Sequence, residues 1–252
     1  MTTVLRCVDR RAFLLALPAM AAVPRLVAQS GKPRIQVRAL NHVGLSVSDP
    51  QDSIDFYQGL FGWPIQARHG TTALLRLGPG PQFLAIGPAG SDRPGISHYC
   101  LGVENFDADD LTTTLERHGL AKADGPGGGL SGGPMKIRVR LRGPDAGGSL
   151  DGTPHVYFGD PDGIVVQLQH PSYCGGASVL GNLCNAPEPA DRRGLLAPRG
   201  LSHLTMRVSD AQRSNAFYRE LFGFDIRARQ GQSLALAVGL GAQFLIDRKS
   251  VV

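Results

Sequence analysis

The chain says one thing twice. Residues 40–63, LNHVGLSVSDPQDSIDFYQGLFGW, return at 201–224 as LSHLTMRVSDAQRSNAFYRELFGF. Aligned without gaps at an offset of 161, residues 40–86 and 201–247 agree at 22 of 47 positions. The agreement runs through His42/His203, the Val-Ser-Asp turns, Phe56-Tyr57/Phe217-Tyr218 and Gln82-Phe-Leu/Gln243-Phe-Leu. Such self-similarity constrains the fold more than composition does, because each copy must be one structural unit built the same way.

Within a copy the order is strand, helix, short strands. Val43, Leu45 and Val47 alternate with His42, Gly44 and Ser46, a period of two. Asp49 is placed to cap a helix, Pro50 suits its first position, and Gly62 suits its end. Ile54, Tyr57, Leu60 and Phe61 share one helical stripe. Three short apolar runs follow, near 64–68, 71–77 and 82–86. The unit is therefore βαβββ. A weaker third echo begins at Ile96, where ISHYCLGV puts His98 in phase with His42. It continues with a helix from about Asp107 to His118, a Gly/Pro-rich excursion at 123–134, and the strands KIRVRLR, HVYFGD and IVVQLQ. Residues 38–172 thus hold two units, 173–199 read as a linker rich in Gly, Pro and Ala, and 200–252 hold one further unit.

Charge gives little toward function. The formal net charge of +5 owes much to the first 28 residues, with Arg6, Arg10, Arg11 and Arg25 against Asp9; without them it falls to +2. No nucleic-acid partner is indicated. Residues 1–28 read as an export signal: Arg10-Arg11-Ala-Phe-Leu-Leu, an apolar run to Val23, then small residues around Ala28. The paired arginines resemble the bacterial twin-arginine signal, which implies a periplasmic or otherwise exported protein with no stable membrane insertion after processing. The bland alternative is an N-terminal hydrophobic helix or anchor. After such processing Cys100, Cys174 and Cys184 remain, and Cys174 could pair with Cys184 in an oxidising compartment.

Asn41-His-Val-Gly-Leu, the Phe56-Tyr57…Leu60-Phe-Gly helix end, Ile96-Ser-His and Tyr157-Phe-Gly-Asp-Pro-Asp-Gly carry a family resemblance. Together with the paired βαβββ units, they resemble the vicinal oxygen chelate superfamily of glyoxalases, extradiol dioxygenases and bleomycin-resistance proteins. The resemblance implies an α+β fold in which tandem modules form a curved, partly open mixed-sheet cup, with the second domain present as one module. It places His42 and His98 at the metal-ligand positions of the two first strands. The last-strand Glu of the family falls on Ala85 in the first unit and on Gln167 in the second. Two imidazoles and an amide oxygen would hold Fe, Mn or Zn without the usual anion. Val156-Tyr157-x-x-Asp160-Pro161-x-Gly163-x-x-x-Gln167 is similar to the extradiol signature, which assigns Tyr157 a catalytic contact with substrate oxygen. His155 and Arg68 are candidate substrate-binding residues. A half-buried strand tyrosine beside a turn remains an equal reading of Tyr157.

Other signals are weaker. Gly129-Leu-Ser131-Gly-Gly matches a hydrolase nucleophile elbow but lacks the strand and helix that elbow needs, and reads as a mobile flap over the cup. Lys136, Arg138, Arg140 and Arg142 alternate with apolar residues; the default is a solvated face, and an inward face would favour an anionic substrate. One unit alone leaves a sheet face uncovered. It can pair with the same unit of another chain as a homodimer, pack on 38–172, or belong to a longer original, and the 161-residue spacing favours the first or the last. Three functions follow: a metal-dependent enzyme acting on a small oxygenated molecule, a metal-free binding cup, or an assembly role for the last unit.

Overall fold

A computed structural model describes residues 34–249. The export segment read at 1–28 lies outside them. The first module runs β1 (Val37–Val47), α1 (Pro50–Phe61), β2 (Ile65–His69), β3 (Thr72–Arg76) and β4 (Phe83–Pro88). Its helix begins and ends where the sequence predicts: Asp49 accepts from the Asp52 N–H at 3.0 Å, and Gly62 closes the helix at φ 65°, a conformation that favours glycine. The second module runs β5 (Gly95–Val103), α2 (Ala108–Arg117), β6 (Ala121–Lys122), β7 (Lys136–Arg142), β8 (Thr153–Gly159) and β9 (Val165–Gln169). The two-residue β6 is an addition to the expected pattern.

These strands form one nine-stranded sheet in the order β2-β3-β4-β1-β5-β9-β8-β7-β6. In each module the last strand returns parallel beside the first, and β1 and β5 join the modules antiparallel. Helices cover one face, where Val43, Tyr99 and Leu101 pack with Ile54, Leu111 and Leu115. Period-two alternation therefore sends His42 and His98 to the other, concave face.

The third module, β10 (His203–Val208), α3 (Ala211–Phe222), β11 (Ile226–Gln230), β12 (Ser233–Ala237) and β13 (Phe244–Lys249), makes a separate sheet ordered β10-β13-β12-β11. It packs on the first two modules. Leu221 and Tyr218 of α3 are fully buried in a core shared with Tyr99, Val156 and Phe158. A buried leucine contributes about 1.5–3 kcal/mol, so the seam needs no second chain to cover its helix. The Tyr99 hydroxyl donates to the Tyr218 hydroxyl, which donates to Asp160 Oδ2, each at 2.9 Å.

The repeat also explains the contact between the first and third modules. Gln82 donates to Leu40 O at 2.7 Å and accepts from Leu201 N at 3.1 Å. Gln243 mirrors it, donating to Leu201 O at 2.8 Å and accepting from Leu40 N at 2.8 Å. The echoing glycines cross in the same way. A Cβ on Gly78 would lie 2.2 Å from Arg199 O, and one on Gly239 would lie 1.9 Å from Arg38 O. Equivalent residues meeting equivalent residues is the signature of a pseudo-two-fold axis. Beyond it, β10 pairs only with β13 among the described strands, and His203, Thr205 and Arg207 face solvent. No helix among the described residues is long and apolar enough to cross a membrane.

Candidate active site

β1 and β5 bring the two first-strand histidines together because Gly44 pairs with His98 and His42 with Cys100. The ring of His98 lies across Gly44, where a Cβ would come within 2.2 Å of its Cε1. Only a glycine permits that approach. Gln167 joins them from β9, opposite Cys100. Nε2 of His42 then lies 3.2 Å from Nε2 of His98 and 3.1 Å from Oε1 of Gln167.

The protonation of His42 follows from its neighbours. Asn41 donates its amide to Tyr173 O at 3.0 Å, which turns its oxygen toward His42 Nδ1 at 2.8 Å. Nδ1 therefore carries the proton and Nε2 a lone pair. Burial, then the nearby His98 and His155, hold the His42 pKa well below the usual value, so the ring is neutral. Burial likewise lowers His98 to about 4. Neutral imidazoles are what a metal requires. Donor spacings near 3 Å match the edge of a coordination shell with bonds of about 2.0–2.1 Å. The donor set fits a divalent ion in geometry and protonation, while its lack of an anion lowers affinity. Among the described residues, no group of three or more His, Cys, Asp or Glu converges in a way that could hold an ion. Gln167 is the neighbour that would complete a three-donor set with the two histidines.

Tyr157 and His155 line the same face. Tyr157 lies edge-on to His98, with ring centres 5.7 Å apart, and its hydroxyl is 3.3 Å from His155 Nδ1. Burial pushes its pKa far above the usual value, so the phenol keeps its proton. His155, lowered to about 3 by burial and then by the Arg142 charge, is neutral. The amide nitrogen of Gln167 reaches its Nδ1 at 3.3 Å. Arg68 is not brought to this cluster. It forms an ion pair with Glu188 at 2.8 Å, with both side chains about half exposed.

Three features were misread or missed in the sequence. The arginines of β7 share the face of the cup residues, since Arg138, Arg140 and Arg142 pair with Tyr157, His155 and Thr153, although Arg140 remains exposed there. Arg142 is buried and donates to His155 Nε2 at 3.3 Å. The glycine-rich excursion, read as a mobile flap, is held by Arg138, which donates to the carbonyls of Gly125, Pro126, Gly127 and Gly129 at 2.5–3.3 Å. The segment read as a linker begins with a plug: Tyr173 is 1% exposed and packs among the rings of Phe83, His42 and His155. Side chains of the cup clamp its carbonyls in series. Asn41 takes Tyr173 O, Gln66 takes Cys174 O at 2.6 Å, His69 takes Gly175 O at 2.7 Å and Arg142 takes Gly176 O at 2.8 Å. The Cys174–Cys184 disulfide closes the segment, and Cys100 stays a free, buried thiol. A tyrosine next to a paired cysteine was the only sequence signal for this plug.

With Tyr173 behind the histidines, the cup opens on the His98 side, into a cavity of about 540 Å³. That volume suits a small organic molecule.

The family model for the Glyoxalase/Bleomycin resistance protein/Dioxygenase superfamily matches residues 39–168 and 200–247. This chain belongs to that superfamily. Among solved superfamily-like structures, the Mn(II)-bound glyoxalase from Novosphingobium aromaticivorans is similar with TM-score 0.59 and 17% identity, covering 86% of this chain and 63% of that one. The 2,3-dioxygenase LapB from Pseudomonas sp. KL28 gives 0.56 and 16%, over 86% and 72%. An extradiol ring-cleaving dioxygenase from B. fuscum gives 0.60 and 12%, over 87% and 55%. The chain thus spans about 63% of the glyoxalase's length, and these identities establish a common fold. A search of curated proteins finds no match to the sequence.

Proposed function

We propose that this superfamily member is a metal-dependent enzyme of the glyoxalase or extradiol dioxygenase type, acting on a small molecule whose neighbouring oxygens chelate the ion. The observation that carries the reading is the approach of His98 Nε2 and Gln167 Oε1 to His42 Nε2, at 3.2 and 3.1 Å. A bound Fe, Mn or Zn would supply Lewis-acid polarisation of the substrate oxygens. The protein residues do the rest. Asn41 fixes the His42 tautomer, Tyr157 holds a proton on its hydroxyl beside His98, and Tyr173 excludes water from the rear. In this reading Tyr157 would donate that proton to a substrate oxygen.

The neutral donor set favours a second reading, a metal-free binding cup in which the same imidazoles are hydrogen-bonding groups. Metal analysis of the purified chain separates the two. A stoichiometric divalent ion that is lost in the His42→Ala/His98→Ala double variant supports the enzyme. No ion in the unaltered protein supports the cup, and an ion retained by the double variant removes this site. We further propose export to an oxidising compartment, supported by the Cys174–Cys184 disulfide and by Arg10-Arg11 ahead of an apolar run. Fractionation that finds the full-length chain in the cytoplasm would reject it.

A further inference from the structure

The inner face of β7 presents three arginines to the cup, and two of them are fully engaged. Arg138 ties four loop carbonyls. Arg142 is buried, with donors on His155, Ala146 O and Gly176 O. Arg140 differs. Among the described residues its one hydrogen bond is to Gly129 O at 3.0 Å, made by a single terminal nitrogen. The side chain remains exposed, and it lines the same cavity of about 540 Å³ that His98 borders.

The charge around that cavity is unbalanced. Its other charged lining residues are Asp92 and Arg93, one of each sign. Arg140 therefore supplies a net positive charge to the cavity, with a planar fork of donors left over. That fork matches a carboxylate through two parallel hydrogen bonds. Ser97, Thr72 and Ser131 add hydroxyls to the wall without adding charge.

We propose that the molecule bound in this cavity is a small oxygenated carboxylate whose charged end is held by Arg140 while its oxygens face His98. The inference rests on the proposed metal-site reading for the oxygens, and on Arg140 alone for the charge.

The test measures dissociation constants calorimetrically on the full chain for three probes: 3,4-dihydroxybenzoate, its neutral isostere 3,4-dihydroxybenzamide, and benzoate. Unaltered protein should bind the dihydroxybenzoate at least ~10-fold more tightly than the amide, as expected for a charge-assisted pair in a partly enclosed site. Arg140→Gln should bring the two within ~2-fold, and Arg140→Lys, which keeps the charge but not the fork, should restore part of the difference. Each comparison lies within one protein, so a loss of folded fraction does not imitate the effect. Equal affinities in the unaltered protein, a preference that survives Arg140→Gln, or no binding of either dihydroxy probe at millimolar concentration would overturn the proposal. Chelator treatment keeps the two readings apart. If the ion holds the oxygens, its removal narrows the gap between dihydroxybenzoate and benzoate and leaves the carboxylate preference in place. A carboxylate preference in a chain that holds no metal rejects the metal reading alone. Metal without that preference rejects this one alone.

Discussion

The first and third modules begin from the same sentence and end in different chemistry. In both, the first-strand histidine stacks on a phenylalanine of the last strand: His42 on Phe83 at 4.2 Å and His203 on Phe244 at 4.7 Å. His42 is buried, and it meets a second imidazole and an amide oxygen. His203 is exposed, and its ring nitrogen reaches Ser202 Oγ at 3.4 Å. The strand places a histidine; a neighbouring module gives it partners. Three substitutions between the copies follow this division. Where the first module has Asn41, Gly44 and His69, the third has Ser202, Thr205 and Gln230. Each of the first set serves the cup: Asn41 sets a tautomer, Gly44 admits the His98 ring, and His69 clamps the plug.

Moving the third module's residues into the first tests this contrast. Gly44→Thr should have the largest effect, because its Cβ would collide with the His98 ring. If the proposed ion is bound, affinity for it should fall by ~100-fold, with the His98 imidazole resonances shifted. Retained metal would detach the site from this close approach. Next in size, Gly78→Ala and Gly239→Ala attack the seam between the two copies, where positive φ and a facing carbonyl both exclude a side chain. Each should cost about 2–4 kcal/mol in denaturant unfolding, and equal losses would show that the pseudo-two-fold contact is balanced. Asn41→Ser should weaken metal binding by ~10-fold through the lost tautomer control, whereas Ser202→Ala should change nothing.

His69→Gln should have the smallest effect and is read by pH. Burial, then the Arg142 charge, lower His69 to about 4. The unfolded chain therefore takes up its proton near pH 6.5 while the folded chain does not. The stability this histidine contributes is present above that value and is lost as pH falls toward its folded pKa. At pH 5.5 the loss amounts to about 1 kcal/mol. The variant should lose about that much less than the unaltered protein between pH 7 and 5.5, measured by urea unfolding at each pH.

Most of the framework was legible. The family resemblance pointed to Gln167, while Asp49, Pro50 and Gly62 bounded α1 and alternation put His42 and His98 opposite the helices. These signals are local, since caps and periods act over a few residues. Arg142 and Tyr173 were not legible for the opposite reason. Alternation shows that Arg142 shares a face with Arg140, but it does not tell whether that face looks into a cup or into water. Glycine-rich composition around Tyr173 describes a loop equally well on a surface or across a cavity.

The sequence by itself determined three modules of one design and the strand positions of two histidines, because repeats and periodicity are written in neighbouring residues. Only the tertiary structure decided that the third module docks on the other two, that Tyr173 closes the rear of the cup, and that Arg68 stands apart from it. Those outcomes rest on contacts between residues more than a hundred positions apart, as from Asn41 to Tyr173 and from Tyr99 to Tyr218. Contacts of that kind carry their energy in packing and in shared hydrogen bonds, and neither is encoded within a single stretch of chain.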